Sequence, residues 1–454
     1  MAAPGSTSEH ALRNKYSPLQ VAGPLPGDMV RSIPAIVRAP HLFLTDVTTR
    51  HGPAAAIPMP RTPVLVLADP DGVRRVLVDN ARDYGKATIQ YSALATVTGP
   101  GLLAGDGTRW RTHRRVVQPA FHHSGLRDVA VHAVHAGQRL AVEADAAGGA
   151  PIDVLDATSR AGLEVVGHTL AAADLSGDAP ALVGAVGRAL ELVVRRAASP
   201  VPASWPTPSR RRLAREVATV DDLCARILAD RAARPLDDPH DLVGLMLAAG
   251  MDDRQIRDEL VTFVVAGHET VASSLTWTLD LLSRNPSALA AVHAELDGLP
   301  ADPTWDDVPQ LPYLRACVDE ALRLYPPAWV ITRKALAPDR LDVAGTVVDV
   351  PAGTLVIVCT WALHRDPGRW EEPGLFRPER FLDAAERRRD DYVPFGAGPR
   401  LCIGRDLALV EEVLVLATLL RTRTLRPVPG PPPRVDALVT LRPRGGLRLH
   451  VERR

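Results

Sequence analysis

Apolar residues recur at 3.6-residue spacing through about residues 109–147, 151–196, 209–233 and 252–326, carried mainly by Ala, Leu and Val with Glu and Arg between them. That periodicity commits the middle of the chain to packed helices and leaves strands only towards the two ends. Strand signals do fall there. Pro63–Ala68 is a short apolar run, Asp69-Pro70 then opens a helix over Asp71–Asn80, and Leu341–Val350 and Thr354–Val358 flank turn residues. Ala437–Val451 reads as a hairpin about Arg444-Gly445-Gly446. Residues 1 to about 60 are proline-rich and predict an extended lead-in carrying one or two short helices. Ser199–Ser209 contains four prolines and predicts a loop between helices. No internal repeat and no compositional shift divides the chain, so the expectation is a single domain over residues 1–454, mainly α with small β-sheets.

Charge and cysteine content narrow the function. The 53 Lys and Arg side chains balance 53 Asp and Glu, which argues against nucleic acid as a partner. Cys224, Cys317, Cys359 and Cys402 lie far apart without a CxxC pair, so neither a disulfide framework nor a structural zinc site is expected. The N-terminus has no basic segment followed by an apolar run, and nothing approaches the ~18 uninterrupted apolar residues of a membrane span. A cytoplasmic protein without a membrane anchor is expected.

The most informative segment is Phe395-Gly396-Ala397-Gly398-Pro399-Arg400-Leu401-Cys402-Ile403-Gly404, followed by an apolar helix from about Arg405 to Leu420. Its glycines permit close backbone approach to a flat ligand. Cys402 at the start of that helix meets exposed N–H groups and the positive dipole end, which favour the thiolate a metal requires. Arg400 offers a fork of donors for a carboxylate. With Phe395, Gly398, Arg400, Cys402 and Gly404 in place, the segment resembles the F-x-x-G-x-R-x-C-x-G pattern of the cytochrome P450 haem-thiolate monooxygenases.

Three further segments carry the resemblance. Glu320 and Arg323, at i and i+3 on one helix face before Tyr325-Pro326-Pro327, resemble the family's E-x-x-R signature, and Arg380 of Phe376–Phe381 its usual third partner. The implied buried ion network supports the cysteine loop, and removal of one partner is expected to cost roughly 3–5 kcal/mol. Met251–Asn285 is a helical pattern on the order of 45 Å long, interrupted by Ala266-Gly267-His268-Glu269-Thr270, which is similar to the family's A-G-x-[DE]-T segment. The resemblance gives Thr270 the organisation of water and Glu269 the relay of protons, with the side chain of His268 directed away from the haem. Trp110 and Arg114, one helical turn apart, match its W-x-x-x-R arrangement and imply hydrogen bonds to haem propionates, with Arg333 as another propionate partner.

The resemblance therefore implies a long central helix over haem b (iron protoporphyrin IX) and a cysteine loop beneath it. Cys402 would be the iron ligand, and one oxygen atom from O2 would enter a lipophilic small molecule by hydroxylation or epoxidation. No flavin or iron–sulfur motif follows the cysteine helix, so electrons are expected from a separate ferredoxin or flavodoxin with its reductase. Ala87–Leu103, Phe263–Ala266 and Ala328–Ile331 correspond to substrate-facing regions, with Phe263, Ala266, Trp329 and Val330 as pocket residues. Terpenoid, fatty acyl and polyketide skeletons all suit such a pocket. The same scaffold also serves peroxide-driven oxidases, desaturases and coupling or rearrangement catalysts, and the Glu269-Thr270 pair argues against a non-catalytic haem gas sensor.

Overall fold

The longest helical run begins at a capping box. The Asp252 carboxylate accepts the Gln255 N–H at 2.8 Å, and the Gln255 side-chain oxygen accepts the Asp252 N–H at 3.1 Å. From there the computed structural model shows α-helix over Asp253–Phe263, a π-turn over Val264–His268 and α-helix again over Glu269–Arg284. Asn285 leaves helical geometry and Pro286 opens the next helix, which ends the run. The structure describes residues 19–59, 62–171, 179–197, 205, 207–233, 241–383 and 390–454.

The second organising element is Arg405–Thr422. Every residue from Leu409 to Leu420 is buried, Glu411 and Glu412 included, as expected of a helix apolar on all sides. It packs along His123–Ala146 and meets the long helix in one core, where Val413 and Leu414 join Leu275 and Leu279. Each such side chain contributes about 1.5–3 kcal/mol by leaving water. The fold is thus predominantly helical, as the periodicity predicts.

The main sheet has five strands in the spatial order Ala54–Ile57, Val64–Leu67, Leu355–Val358, Ile331–Ala335 and Tyr84–Gly85. Only Val64–Leu67 against Leu355–Val358 is parallel. Gly85 pairs with Lys334, which brings Lys86, next along the chain, beside Arg333 at one end of the interior cavity described below.

Several expectations need correction. The described part of the N-terminal lead-in carries the two short helices expected, Pro26–Arg38 and Pro40–His51, with Pro26 and Pro40 at first helical positions where a missing N–H costs nothing, but these and the strand Ala54–Ile57 leave little of it extended. Residues 1–18 lie outside the described part. The helix expected over Asp71–Asn80 is Pro70–Arg74 continued by a π-turn at Arg75–Asp79. The loop expected over Ser199–Ser209 falls mostly outside the described residues, and its last two residues already belong to the helix Pro208–Ala232. Leu341–Val350 is itself a hairpin, Asp339–Val343 against Thr346–Val350. No hairpin closes about Arg444-Gly445-Gly446. The turn is real, with both glycines at positive φ, but Val435–Ala437 pairs with Leu441–Pro443, whereas Arg448–Arg453 pairs with Arg423–Pro427 and Ile152–Asp153.

Candidate active site

The cysteine loop is shaped by its own backbone. The Cys402 N–H donates to Phe395 O at 3.0 Å, Gly396 N–H to Val393 O at 3.0 Å, and Leu401 N–H to Gly398 O at 2.9 Å. Gly398 has φ +68°, and a Cβ there would stand 2.0 Å from the Leu77 carbonyl oxygen on the π-turn Arg75–Asp79. Only glycine allows the loop to seat on that turn.

Cys402 lies deep in the molecule, yet its surface is exposed, because it faces an interior cavity of about 310 Å³. Phe395, Gly404, Leu407 and Ala408 line the cysteine side, and Phe263, Ala266, Gly267 and Thr270 of the long helix line the opposite side. A larger open cleft of about 630 Å³ between Ser283 and His450 contains none of these residues. Burial pushes the Cys402 thiol up, against the opposing pull of the Gly404 N–H and of the Arg114 and Arg405 charges. The Gly404 N–H at the helix start thus pulls towards the thiolate, in the direction the sequence predicts, against the cost of burial. The helix itself starts at Arg405, just past the cysteine.

One end of the cavity is cationic. Lys86, Arg114, Arg333 and Arg400 all line it beside Trp110. Arg400 stacks on the Trp110 ring at 4.0 Å, with Arg114 at 5.6 Å. Arg400 also donates to Gly105 O at 2.8 Å and to the Asp106 carboxylate. Burial holds Arg400 down to about 10 and depresses Arg114 and Lys86 as well, with the neighbouring Arg333 and Arg400 charges adding to the effect on Lys86. Arg333 is buried, its guanidinium donating to Thr332 O at 2.9 Å. Four crowded, desolvated cations form a cradle for anionic groups.

On the long helix, Thr270 lines the cavity and its hydroxyl donates to Ala266 O. Glu269 does not line it, and the expected pair is split. Glu269 faces a second cavity of about 160 Å³ behind the helix, with Arg442 Nη1 at 3.8 Å. Burial raises the Glu269 carboxyl, and Arg442 opposes the rise. His268 lines the same rear cavity, as expected of a residue directed away from the cysteine, and burial holds it down to about 4.

Glu320, Arg323 and Arg380 do come together. Arg323 Nε and Nη2 meet the two Glu320 oxygens at 2.7 and 2.8 Å, both residues fully buried. Arg380 is the looser partner, with Nε 3.4 Å from Glu320 and no aligned hydrogen bond. The link to the cysteine loop runs through His364. Arg323 donates to His364 O at 2.8 Å, and His364 Nε2 accepts the Val393 N–H at 2.9 Å. Burial holds His364 down to about 3, so the ring stays neutral and that nitrogen can accept.

Phe263 and Ala266 line the cavity as expected, but Trp329 and Val330 do not. Trp329 donates from its indole N–H to Leu438 O at 3.1 Å and packs edge-on to His41. The chain turns into the strand at Ile331, so Ala328 and Ile331 face the cavity while the two residues between them point into the neighbouring core. Sequence reasoning missed Lys86 and Glu411. Lys86 is one of three lysines in the chain, which was its only signal. Glu411 lines the cavity with both carboxyl oxygens unpartnered, and burial pushes it well up. In the sequence it is masked by an apolar helical run.

A cysteine facing a largely apolar cavity that also gathers Lys86, Arg114, Arg333 and Arg400 fits a flat metal cofactor bearing carboxylates, which is the chemistry of a haem-protein site. The chain belongs to the cytochrome P450 family, whose sequence profile, described as Cytochrome P450, matches residues 21–449. It is 34% identical over 413 residues to cyclooctatin synthase of Streptomyces melanosporofaciens, covering 87% of each chain. It is 33% identical over 413 residues, again 87% of each chain, to cyclooctat-9-en-7-ol 5-monooxygenase of the same organism. CYP175A1 from Thermus thermophillus has the same fold, with a TM-score of 0.77 and 29% identity over 94% of this chain and 97% of that one. The protein is accordingly a monooxygenase that binds haem b. No helix among the described residues is long and apolar enough to cross a membrane.

Proposed function

We propose that this monooxygenase oxidises a terpenoid hydrocarbon skeleton, with Cys402 as the iron ligand. The observation that carries the reading is Cys402 opening onto a largely apolar cavity between the cysteine loop and the π-turn of the long helix. Haem held by a thiolate supplies dioxygen activation and oxygen transfer. The chain supplies the rest. Trp110, Arg114, Arg333, Arg400 and Lys86 hold the propionates, and Glu320, Arg323, Arg380 and His364 keep the cysteine loop in place. Phe263, Ala266, Leu102, Leu103 and Ile331 give the substrate an apolar wall with few polar anchors, which suits a hydrocarbon skeleton. The two Streptomyces relatives support the terpenoid class.

Thr270 holds water near the reacting centre through its hydroxyl. Glu269 passes protons forward from the rear cavity by swinging away from Arg442, since its resting position faces away from the chamber. Electrons come from a separate ferredoxin or flavodoxin with its reductase, in the cytoplasm.

The test begins with dithionite reduction and carbon monoxide. The purified protein is expected to show the red-shifted Soret band of thiolate ligation, and Cys402→Ser to lose it. A band of the histidine-ligated kind in the unmodified protein refutes the ligand assignment. Terpenoid hydrocarbons are expected to displace iron-bound water and shift the spin state where fatty acids do not. The reverse ranking refutes the substrate class.

A further inference from the structure

Glu259 sits one helical turn before Phe263 on the long helix, fully buried, and neither the cofactor cradle nor the proton path uses it. Its two oxygens reach two different elements. Oε1 lies 2.6 Å from Nδ1 of His113, which is itself buried on the helix Gly107–Val117 that carries Trp110 and Arg114. Oε2 accepts the backbone N–H of Leu102 at 3.0 Å. Leu102 and Leu103 line the cavity, so this one carboxyl ties a cavity wall to the long helix and to the propionate helix together.

The loop between Gly99 and Gly105 closes on itself through the Gly105 N–H to Gly101 O at 2.6 Å and buries Leu102 in the core, and few side chains reach its backbone from outside. Lys86 donates to Leu103 O at 2.8 Å and Arg400 to Gly105 O at 2.8 Å, both from the cationic end. On the side of the long helix the loop lies so close that a Cβ at Gly101 would stand 2.5 Å from Thr262 Oγ1 and 2.9 Å from Asp258 O. A buried hydrogen bond to a carboxylate is among the stronger contacts a loop of this kind can make.

We infer that the His113–Glu259 pair is a specificity-determining clamp that holds the Leu102–Leu103 wall closed over the cavity and so discriminates ligands by size. This rests on the reading of the cavity as the haem and substrate chamber. A ligand small enough to sit on the iron without touching the wall is indifferent to the clamp. A bulky apolar ligand is retained by it.

The test uses the full-length, haem-loaded protein as wild type, Glu259→Gln, His113→Ala, His113→Asn and the Glu259→Gln/His113→Ala double variant. Stopped-flow absorbance follows imidazole and clotrimazole leaving the iron. Clotrimazole is expected to dissociate ~10-fold faster in Glu259→Gln and in His113→Ala, with no further gain in the double variant, while imidazole is unchanged. His113→Asn places an amide N–H where Nδ1 stood and is expected to restore the wild-type ratio. Hydrogen exchange of residues 99–106 is expected to quicken in the two single variants, a readout independent of turnover. The clamp is refuted if both azoles shift together, if neither shifts, if the single effects add, or if exchange of the loop is unaltered. Should Glu259→Gln fail to fold, the His113→Ala and His113→Asn pair decides the matter alone. A wild type without the thiolate band would instead refute the chamber reading, and loop exchange would still judge the clamp.

Discussion

Replacement of Arg323 by alanine tests how much of the cysteine loop's position depends on one buried cation. The side chain is fully buried and makes five hydrogen bonds, two to Glu320 and one each to the carbonyls of His364, Pro373 and Leu375 at 2.8, 2.9 and 3.2 Å. Without it Glu320 keeps the Arg377 N–H at 3.0 Å and the loosely placed Arg380, and three carbonyls lose a donor. Stranding one member of a buried pair costs about 3–5 kcal/mol. At roughly 2.1 cal/mol/K per residue over 454 residues, that lowers Tm by about 3–5 °C. The same cut releases His364, whose ring holds Val393 at the start of the cysteine loop, so haem per protein should fall along with stability. Calorimetry gives the first quantity and the Soret-to-protein absorbance ratio the second. Arg380→Ala is the internal control: it leaves the bidentate Arg323–Glu320 pair intact and removes only the looser contact to Glu320 and a hydrogen bond to Glu372 O, so it should cost less than Arg323→Ala. Equal losses in the two variants, or an Arg323→Ala protein as stable and as haem-rich as wild type, would show that this account of the network is mistaken.

Three other expectations follow from particular contacts. Gly398→Ala should destabilise by at least ~2 kcal/mol and yield little haem-loaded protein, because its Cβ would collide with the Leu77 carbonyl at a strained positive φ; normal haem content would contradict this. Lys86→Met should speed haem transfer to apomyoglobin ~10-fold without altering the thiolate band, and an unchanged transfer rate would remove Lys86 from the cradle. Burial pushes Glu412 from an ordinary value near 4.5 up to about 8, so the folded state holds its proton more tightly than the unfolded chain. Its stability penalty is absent below pH 4.5 and grows until about pH 8. Glu412→Gln keeps an acceptor for the Ser274 hydroxyl, so the variant's Tm advantage should widen across that window; a gap independent of pH would argue against a buried titrating carboxyl.

The helices, the main strands and the cofactor motifs were legible in the sequence because each rests on short-range chemistry: a periodicity, a proline at a helix start, a glycine turn beside a cysteine. Positions governed by register were not. At Val264–His268 a π-turn inserts one residue into the helical count, so a 3.6-residue wheel cannot tell that Glu269 faces the rear cavity while Thr270 faces the front. Trp329 and Val330 were misplaced for a related reason, since the face each takes depends on where the strand begins. Lys86 was invisible because its role comes from pairing Tyr84–Gly85 with a strand about 250 residues away. The turn at Gly445-Gly446 was recognised, but a turn signal does not say which sheet receives the next strand.

The four cations at the end of the chamber bear on how the polypeptide behaves before it meets its cofactor. Arg114 and Arg333 crowd Arg400, burial pushes the Lys86 amine beside them well down, and Asp106 offsets only part of that charge. The apoprotein should therefore be least settled at this end of the cavity. Binding then stabilises the native form by mass action, about 4 kcal/mol when free haem stands a thousandfold above its dissociation constant. Cells limited in porphyrin would accumulate less of this enzyme, and not merely a less active pool of it.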